Sequence, residues 1–208
     1  MITGQNSFNS NNCEFVAFLD DCNPLEFGIW KARKAYDGFM DPCRNAKIHK
    51  ILSTTYFPES DFTIWMDGNT FAIRNPEELI QKFLIDTESD IAVFEHPKRK
   101  TIYEELDRCV GQKKDNRDIL HEQYNRYKRH YGDYCGHRLP WCKIILRRNN
   151  FFVHQFETLW WAEICRFSRR DQPSFPIAHE LIGYNSIRVN FIQNPKQEFG
   201  KYFRQVGD

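Results

Sequence analysis

The stretch Asp61-Phe62-Thr63-Ile64-Trp65-Met66-Asp67-Gly68-Asn69 constrains this chain more than any other. Five residues that are apolar or β-compatible run directly into an acid, a glycine and an amide. A strand apolar on both faces belongs to a sheet covered on both sides. In open α/β sheets, ligands collect just beyond the carboxyl ends of such strands. Gly68 permits the tight turn that leaves Asp67 and Asn69 pointing outward. Taken alone, the same letters also spell an ordinary Asp-Gly turn. The rest of the chain has to decide between a turn and a site.

At 208 residues the chain is long enough for one domain with a real core, read here as residues 13–208 behind a polar segment, 1–12. A formal charge of +1 argues against a general nucleic-acid or anionic-membrane binder. The seven cysteines are an odd set without a C-x-x-C pair, which fits neither a zinc ribbon nor a disulfide scaffold. Reduced thiols and a cytoplasmic setting are therefore expected. No apolar run is long enough to span a bilayer, and the first residues carry no apolar leader core.

Strand and helix signals alternate along the chain. Glu14–Asp20 reads as a strand, with a short second one near Gly28–Ala32. Asp41-Pro42 opens a helix with Asp41 as N-cap, and its apolar positions Ile48, Ile51, Leu52 and Thr55 carry it to Pro58. After the strand Asp61–Asp67, Thr70–Arg74 is extended, and Asn75-Pro76 starts a second helix. Ile91–Phe94 is a strand; Tyr103–Tyr131 is helical in two pieces broken near Gly111. Lys143–Leu146 is a strand, Asn150–Phe167 an aromatic-rich helix and Arg188–Ile192 a final strand. The pattern predicts an α/β domain with a mostly parallel sheet flanked by helices.

The helix from Asp41 enters from one strand and feeds the next, so it runs against them. Its N-terminus then lies at the edge where Asp67 and Asn69 emerge. On a helical wheel Arg44 falls on the sheet-facing side, Lys47 at its border and Lys50 on the solvated face. An inward arginine beside helix N–H groups suits a diphosphate. Downstream, Ser168-Arg169-Arg170-Asp171-Gln172-Pro173-Ser174-Phe175 follows Trp160-Trp161-Ala162-Glu163. By itself this cluster reads as a capped helix end with a surface ion pair, worth about 0–1 kcal/mol. Read with the first constellation, it suggests a division of labour. Asp67 with Asn69 would hold Mg²⁺ or Mn²⁺ bridging the phosphates of a nucleotide-sugar. Arg44 and Lys47 would carry the remaining phosphate charge, and Asp171 and Gln172 would face the sugar.

The ordered set Arg44-Asn45-Ala46-Lys47-Ile48-His49-Lys50, Tyr56-Phe57-Pro58-Glu59, Ile64-Trp65-Met66-Asp67-Gly68-Asn69, Phe83-Leu84, His96, Glu104-Glu105, Arg147-Arg148-Asn149, Trp160-Trp161-Ala162-Glu163 and Arg169–Phe175 resembles a known family. It is the glycosyltransferase-like family of plant mucilage-synthesis proteins, a plant protein described as an alkaline ceramidase, and bacterial polysaccharide-locus proteins. The likeness runs from about Cys13 to Tyr184. It implies a GT-A-like, nucleotide-diphospho-sugar transferase fold and a hexosyltransferase of the retaining type, using a UDP-sugar donor and a glycan or glycoconjugate acceptor. In that frame Asp67 and Asn69 match the acidic metal motif and Asp171-Gln172 the pair near the donor sugar. Arg44, Lys47, His96 and Arg170 form the donor-binding set, with Arg99 beside His96.

Two departures from the family pattern follow. The resemblance implies a further strand and turn before Glu14, where this sequence has Met1-Ile2-Thr3-Gly4 and a polar run. This makes a partner chain or an oligomer an expectation. Asp-Gly-Asn also supplies one certain carboxylate where many such enzymes have two, so metal binding is expected to be weak or to depend on the donor phosphates. A non-catalytic nucleotide-sugar or glycan-binding module and a ceramidase-type hydrolase are the alternative classes. For the latter, no Ser-His, Cys-His or zinc-like histidine spacing is present.

Overall fold

A computed structural model describes residues 12–21, 29–132 and 138–206. Its elements in order are β1 (Phe15–Leu19), β2 (Trp30–Lys34), α1 (Pro42–Ile51), α2 (Ser53–Tyr56), β3 (Phe62–Met66), β4 (Thr70–Ala72) and α3 (Pro76–Ile80, continued by a π-helical turn, Gln81–Ile85). There follow β5 (Ile91–Glu95), α4 (Ile102–Gly111), α5 (Arg117–Tyr131), β6 (Pro140–Arg148), α6 (Phe151–Arg166), α7 (Asp171–Ile182), β7 (Val189–Ile192), α8 (Pro195–Tyr202) and β8 (Phe203–Gln205). Three helix starts are those the sequence announces. Asp41 accepts from the Cys43 N–H at 3.0 Å with Pro42 in the first turn, Asn75 caps α3, and Asn150 accepts from the Val153 N–H at 2.9 Å.

The central sheet has four strands in the order β3-β6-β5-β7. It is mixed rather than mostly parallel. The long β6 runs antiparallel to both β3 and β5, and only β5 and β7 pair in parallel. Lys143–Leu146 gave no hint of direction, and β6 extends to nine residues. Both faces are covered, as the apolar strand interiors require. On one face Ile91, Val93, Ile145 and Trp65 pack under α1, α6 and α7 with Phe156, Trp160 and Phe175. On the other, Ala92, Phe94, Ile144, Leu146, Ile64 and Met66 pack under α3 and α8 with Leu79, Phe83 and Phe199. Alternation along β5 and β6 feeds both layers.

Two small sheets flank this core. β1 and β2 pair in parallel and rest on α1, where the Phe18 ring stacks on His49 with centroids 3.8 Å apart. β4 pairs antiparallel with β8 at the carboxyl end of β3. A third apolar cluster joins α4 and α5 to α7 through Leu106, Leu120, Tyr127, Phe167 and Ile177.

Several expected boundaries moved. The second strand lies at Trp30–Lys34, beyond residues 22–28, which are outside the description. The helix expected up to Pro58 breaks at Leu52 and resumes as the short α2. Helix α7 was not expected, because Ser168–Phe175 was read as the capped end of the preceding helix rather than the start of a new one. Pro173 falls in the first turn, where its missing N–H has no helical partner to lose. Pro176 is tolerated inside a helix whose residues Asp171–His179 are all buried, so packing outweighs the local penalty. The segment Met1-Ile2-Thr3-Gly4 lies outside the described residues.

Candidate functional site

The stretch of the opening motif ends as β3 delivers Asp67 to the sheet's edge. The Asp67 N–H still donates to Lys143 O at 3.0 Å, and its carbonyl accepts from the Thr70 N–H at 2.8 Å, closing the turn through Gly68 and Asn69. The turn reading is thus satisfied, and the same turn leaves the Asp67 carboxylate in contact with charged neighbours. Trp65 and Asp67 lie two residues apart on the same face, and the Trp65 Nε1–H donates to Asp67 Oδ1 at 2.9 Å. Lys50 Nζ donates to the same oxygen at 3.0 Å. Oδ2 has no hydrogen-bond partner among the described residues, on a side chain that is 35% exposed.

Asp171 meets this pair from the start of α7. Its carbonyl accepts from the Trp160 Nε1–H at 2.9 Å, which fixes the helix entry on α6. Its carboxylate is almost wholly buried between two lysines, with Lys47 Nζ 2.8 Å from Oδ1 and Lys50 Nζ 2.8 Å from Oδ2. The contact at Oδ2 is one of charge without an aligned hydrogen bond. Lys47 and Lys50, three residues apart, share one face of α1. Burial by itself would raise the Asp171 carboxyl, but Lys47, Lys50 and Arg170 hold it well below the usual carboxylate range. Burial likewise pulls Lys50 down, and Asp171 and Asp67 more than reverse it, so that ammonium stays charged.

This corrects the reading of Lys50 as a solvated residue. Its side chain is 7% exposed, against 13% for Lys47 and 21% for Arg44, the reverse of the helical-wheel order. The wheel assumed that the sheet was the only neighbour. In fact the last turn of α1 is covered all round, by the β1–β2 pair at His49 and by β6 at Lys50, whose carbonyl accepts from Arg147 Nη2 at 2.8 Å.

The other expected residues divide. Arg44 is drawn away from the cluster. Its guanidinium donates to Ile164 O at 3.1 Å, to Phe167 O at 2.8 Å and to Asp41 Oδ2 at 2.7 Å, closing the C-terminus of α6. Gln172 is buried beside Asp171 and its Nε2–H donates to Pro140 O at 3.2 Å. Arg170 lies 3.9 Å from the buried Glu105, which also binds Arg99. His96 closes a strand-end turn by accepting from the Arg99 N–H at 2.9 Å, and burial with Arg99 and Lys98 lowers it to about 4. Asn69 is exposed, and its Oδ1 accepts from Thr70 Oγ1 at 3.4 Å.

Three participants had no assigned part. Lys50 was visible in principle, since it repeats Lys47 at helical spacing. Trp160 was quoted only as part of a motif. The wholly buried Arg147–Glu157 pair, 3.2 Å apart, lies behind the site; Ser53 and Thr54 hydroxyls complete Glu157, and no local pattern marks it.

The expectation of Mg²⁺ or Mn²⁺ meets a donor set of hard oxygens, Asp67 Oδ2 and the Asn69 amide. Among the described residues no three or more His, Cys, Asp or Glu side chains converge on one point. One open carboxylate oxygen and an adjacent amide fit a cation that takes most of its ligands from phosphate and water.

Residues 10–204 match the family described as TOD1/MUCI70, glycosyltransferase-like domain. Among curated proteins, the chain is 27% identical over 163 residues to the probable hexosyltransferase MUCI70 of Arabidopsis thaliana, covering 74% of this chain and 28% of that protein. It is 29% identical over 184 residues to the alkaline ceramidase TOD1 of the same plant, covering 82% of this chain and 40% of that one. The chain therefore spans less than half the length of either relative. No solved structure matches it. None of the described helices is long and apolar enough to cross a membrane.

Proposed function

The chain belongs to the TOD1/MUCI70 glycosyltransferase-like family, and on that premise we propose that it moves a hexose from a nucleotide-diphospho-sugar, a UDP-sugar, to a glycan or glycoconjugate acceptor. The observation that carries this reading is the cluster of Lys47, Lys50, Asp67 and Asp171 where β3 ends, with distances of 2.8–3.0 Å between opposite charges. A mixed sheet covered on both faces, with its acid at a carboxyl edge, supports a GT-A-like arrangement. Lys47, the more accessible lysine, offers charge to the donor diphosphate, and Arg170 and His96 are assigned to the donor with it. Asp171 and Gln172 face the sugar. Asp67 and Asn69 are the residues that hold Mn²⁺ or Mg²⁺ in this reading, and that cation supplies charge stabilisation for the departing diphosphate.

Retention at the anomeric carbon is part of the proposal. An inverting transferase needs a base that accepts the acceptor's proton, with a pKa near the working pH. Asp171, buried between two ammonium groups and held well below the usual carboxylate range, is a poor base. The five described cysteines are free thiols, which supports a reducing, cytoplasmic setting.

The test is incubation with Mn²⁺ and a panel of nucleotide-sugars, following release of nucleoside diphosphate and the anomeric configuration of any product by NMR. Turnover with retention is expected. Absence of both turnover and donor-induced thermal shift would sink the reading. Donor binding without turnover would favour a binding module, and ceramide cleavage would favour a hydrolase.

A further inference from the structure

We infer that Lys50 is the resident counter-cation of this site: it holds Asp67 and Asp171 together and keeps a divalent metal off Asp67 until a nucleoside diphosphate arrives. The inference rests on the proposed reading of Asp67 as the metal-facing acid, and gives the dependence on donor phosphate a cause, Lys50, that the reading does not contain.

The geometry is specific to Lys50. Its ammonium lies 3.0 Å from Asp67 Oδ1 and 2.8 Å from Asp171 Oδ2, so a single buried nitrogen bridges both acids. Lys47 touches only Asp171. Lys50 sits out of water, with its side chain 7% exposed and its backbone carbonyl accepting from Arg147 Nη2. Asp67 Oδ1 is therefore occupied twice, by Lys50 and by Trp65, and Oδ2 is the oxygen without a partner among the described residues.

Formal charge gives the consequence. Two lysines and two aspartates sum to zero, and Arg170 adds a further cation beside Asp171, so a bare divalent cation at Oδ2 finds one shared carboxylate and a buried ammonium next to it. Like charges in a half-buried setting repel strongly. A nucleoside diphosphate brings the missing negative charge and the missing oxygen ligands together. Metal binding without the diphosphate is accordingly weak, and binding with it is strong. Replacing Lys50 by an apolar side chain removes the competing charge and leaves the Asp67–Asp171 pair open to the metal.

The experiment is titration of Mn²⁺ by electron paramagnetic resonance, with and without UDP, on the wild-type chain and on Lys50→Met, Lys50→Arg and Lys47→Met. Fold is checked by circular dichroism. For the wild type, Mn²⁺ affinity is expected to rise at least about 10-fold when UDP is present. Lys50→Met is expected to bind Mn²⁺ alone at least about 10-fold more tightly than the wild type, Lys50→Arg no more tightly, and Lys47→Met by a smaller factor. Wild-type binding of Mn²⁺ alone as tight as binding with UDP overturns the inference, and this result is obtained even if Lys50→Met does not fold. Equal gains for Lys47→Met and Lys50→Met overturn the bridging role, since net charge would then explain them. No Mn²⁺ binding by any folded form, with or without UDP, instead overturns the underlying metal reading.

Discussion

Asp171→Asn is the substitution that most sharply separates the charge cluster from a decorative ion pair. The carboxylate is buried, and both oxygens face lysines at 2.8 Å. Removing one partner of a buried pair costs about 3–5 kcal/mol when the remaining charge is left alone. Here the cost is smaller for two reasons. Lys50 keeps Asp67 at 3.0 Å, and Lys47, at 13% exposure, has a route to water. We expect a loss of about 2–3 kcal/mol in ligand-free urea unfolding at pH 7, with the slope against denaturant unchanged. Adding Lys50→Met to Asp171→Asn removes the ammonium that has lost one of its two acids, and the double-mutant cycle should show a coupling of at least about 1 kcal/mol. Donor turnover should fall by about 100-fold or more. A stability within about 0.5 kcal/mol of wild type would refute the charge accounting. Full activity in the substituted protein would remove Asp171 from the site altogether.

Three further outcomes follow from other contacts. Arg147→Met strands the wholly buried Glu157 with only Ser53 and Thr54 as partners; a loss of about 3–5 kcal/mol, seen as a Tm lower by roughly 10 °C, is expected, and a shift under about 2 °C would contradict it. Burial lowers His49 to about 4 from an ordinary 6.5, and His96 likewise, so the unfolded chain binds more protons in that window. Stability should therefore be full above about pH 6.5 and decline as pH falls toward 4, by about 2–3 kcal/mol for His49. His49→Phe should flatten that decline, and an unchanged acid limb would refute the assignment. Arg44→Gln should cost about 1–2 kcal/mol through the lost closure of α6 while leaving the donor KM within about twofold. A tenfold rise in KM would return Arg44 to the diphosphate.

What the sequence made legible was mostly local. Asp41-Pro42, Asn75-Pro76 and Asn150 are capping signals written in adjacent residues, and α1, α3 and α6 start where they say. The apolar runs Phe62–Met66 and Ile91–Phe94 require two covered faces, and both are covered. Strand direction was not legible, because it depends on which strand lies beside which, and β6 inserts between β3 and β5 from far along the chain. Asp67, Lys47 and Asp171 are joined through Lys50, whereas the Gln172 amide turns to the Pro140 carbonyl. Lys50 and Arg44 exchanged places because burial on α1 is set by α6, β6 and the β1–β2 pair together, which a single wheel cannot represent. The Arg147–Glu157 pair joins residues from β6 and α6 whose charges carry no local pattern.

The central claim is that the end of β3 is where a donor diphosphate is held. A crystal of this chain grown with Mn²⁺ and UDP, with the anomalous signal of manganese measured, addresses it directly. A manganese peak is expected against Asp67 Oδ2, and a phosphate oxygen within hydrogen-bond reach of Lys47 Nζ, with Asp171 still between its two lysines. Nucleotide bound elsewhere, or manganese away from Asp67, would contradict it.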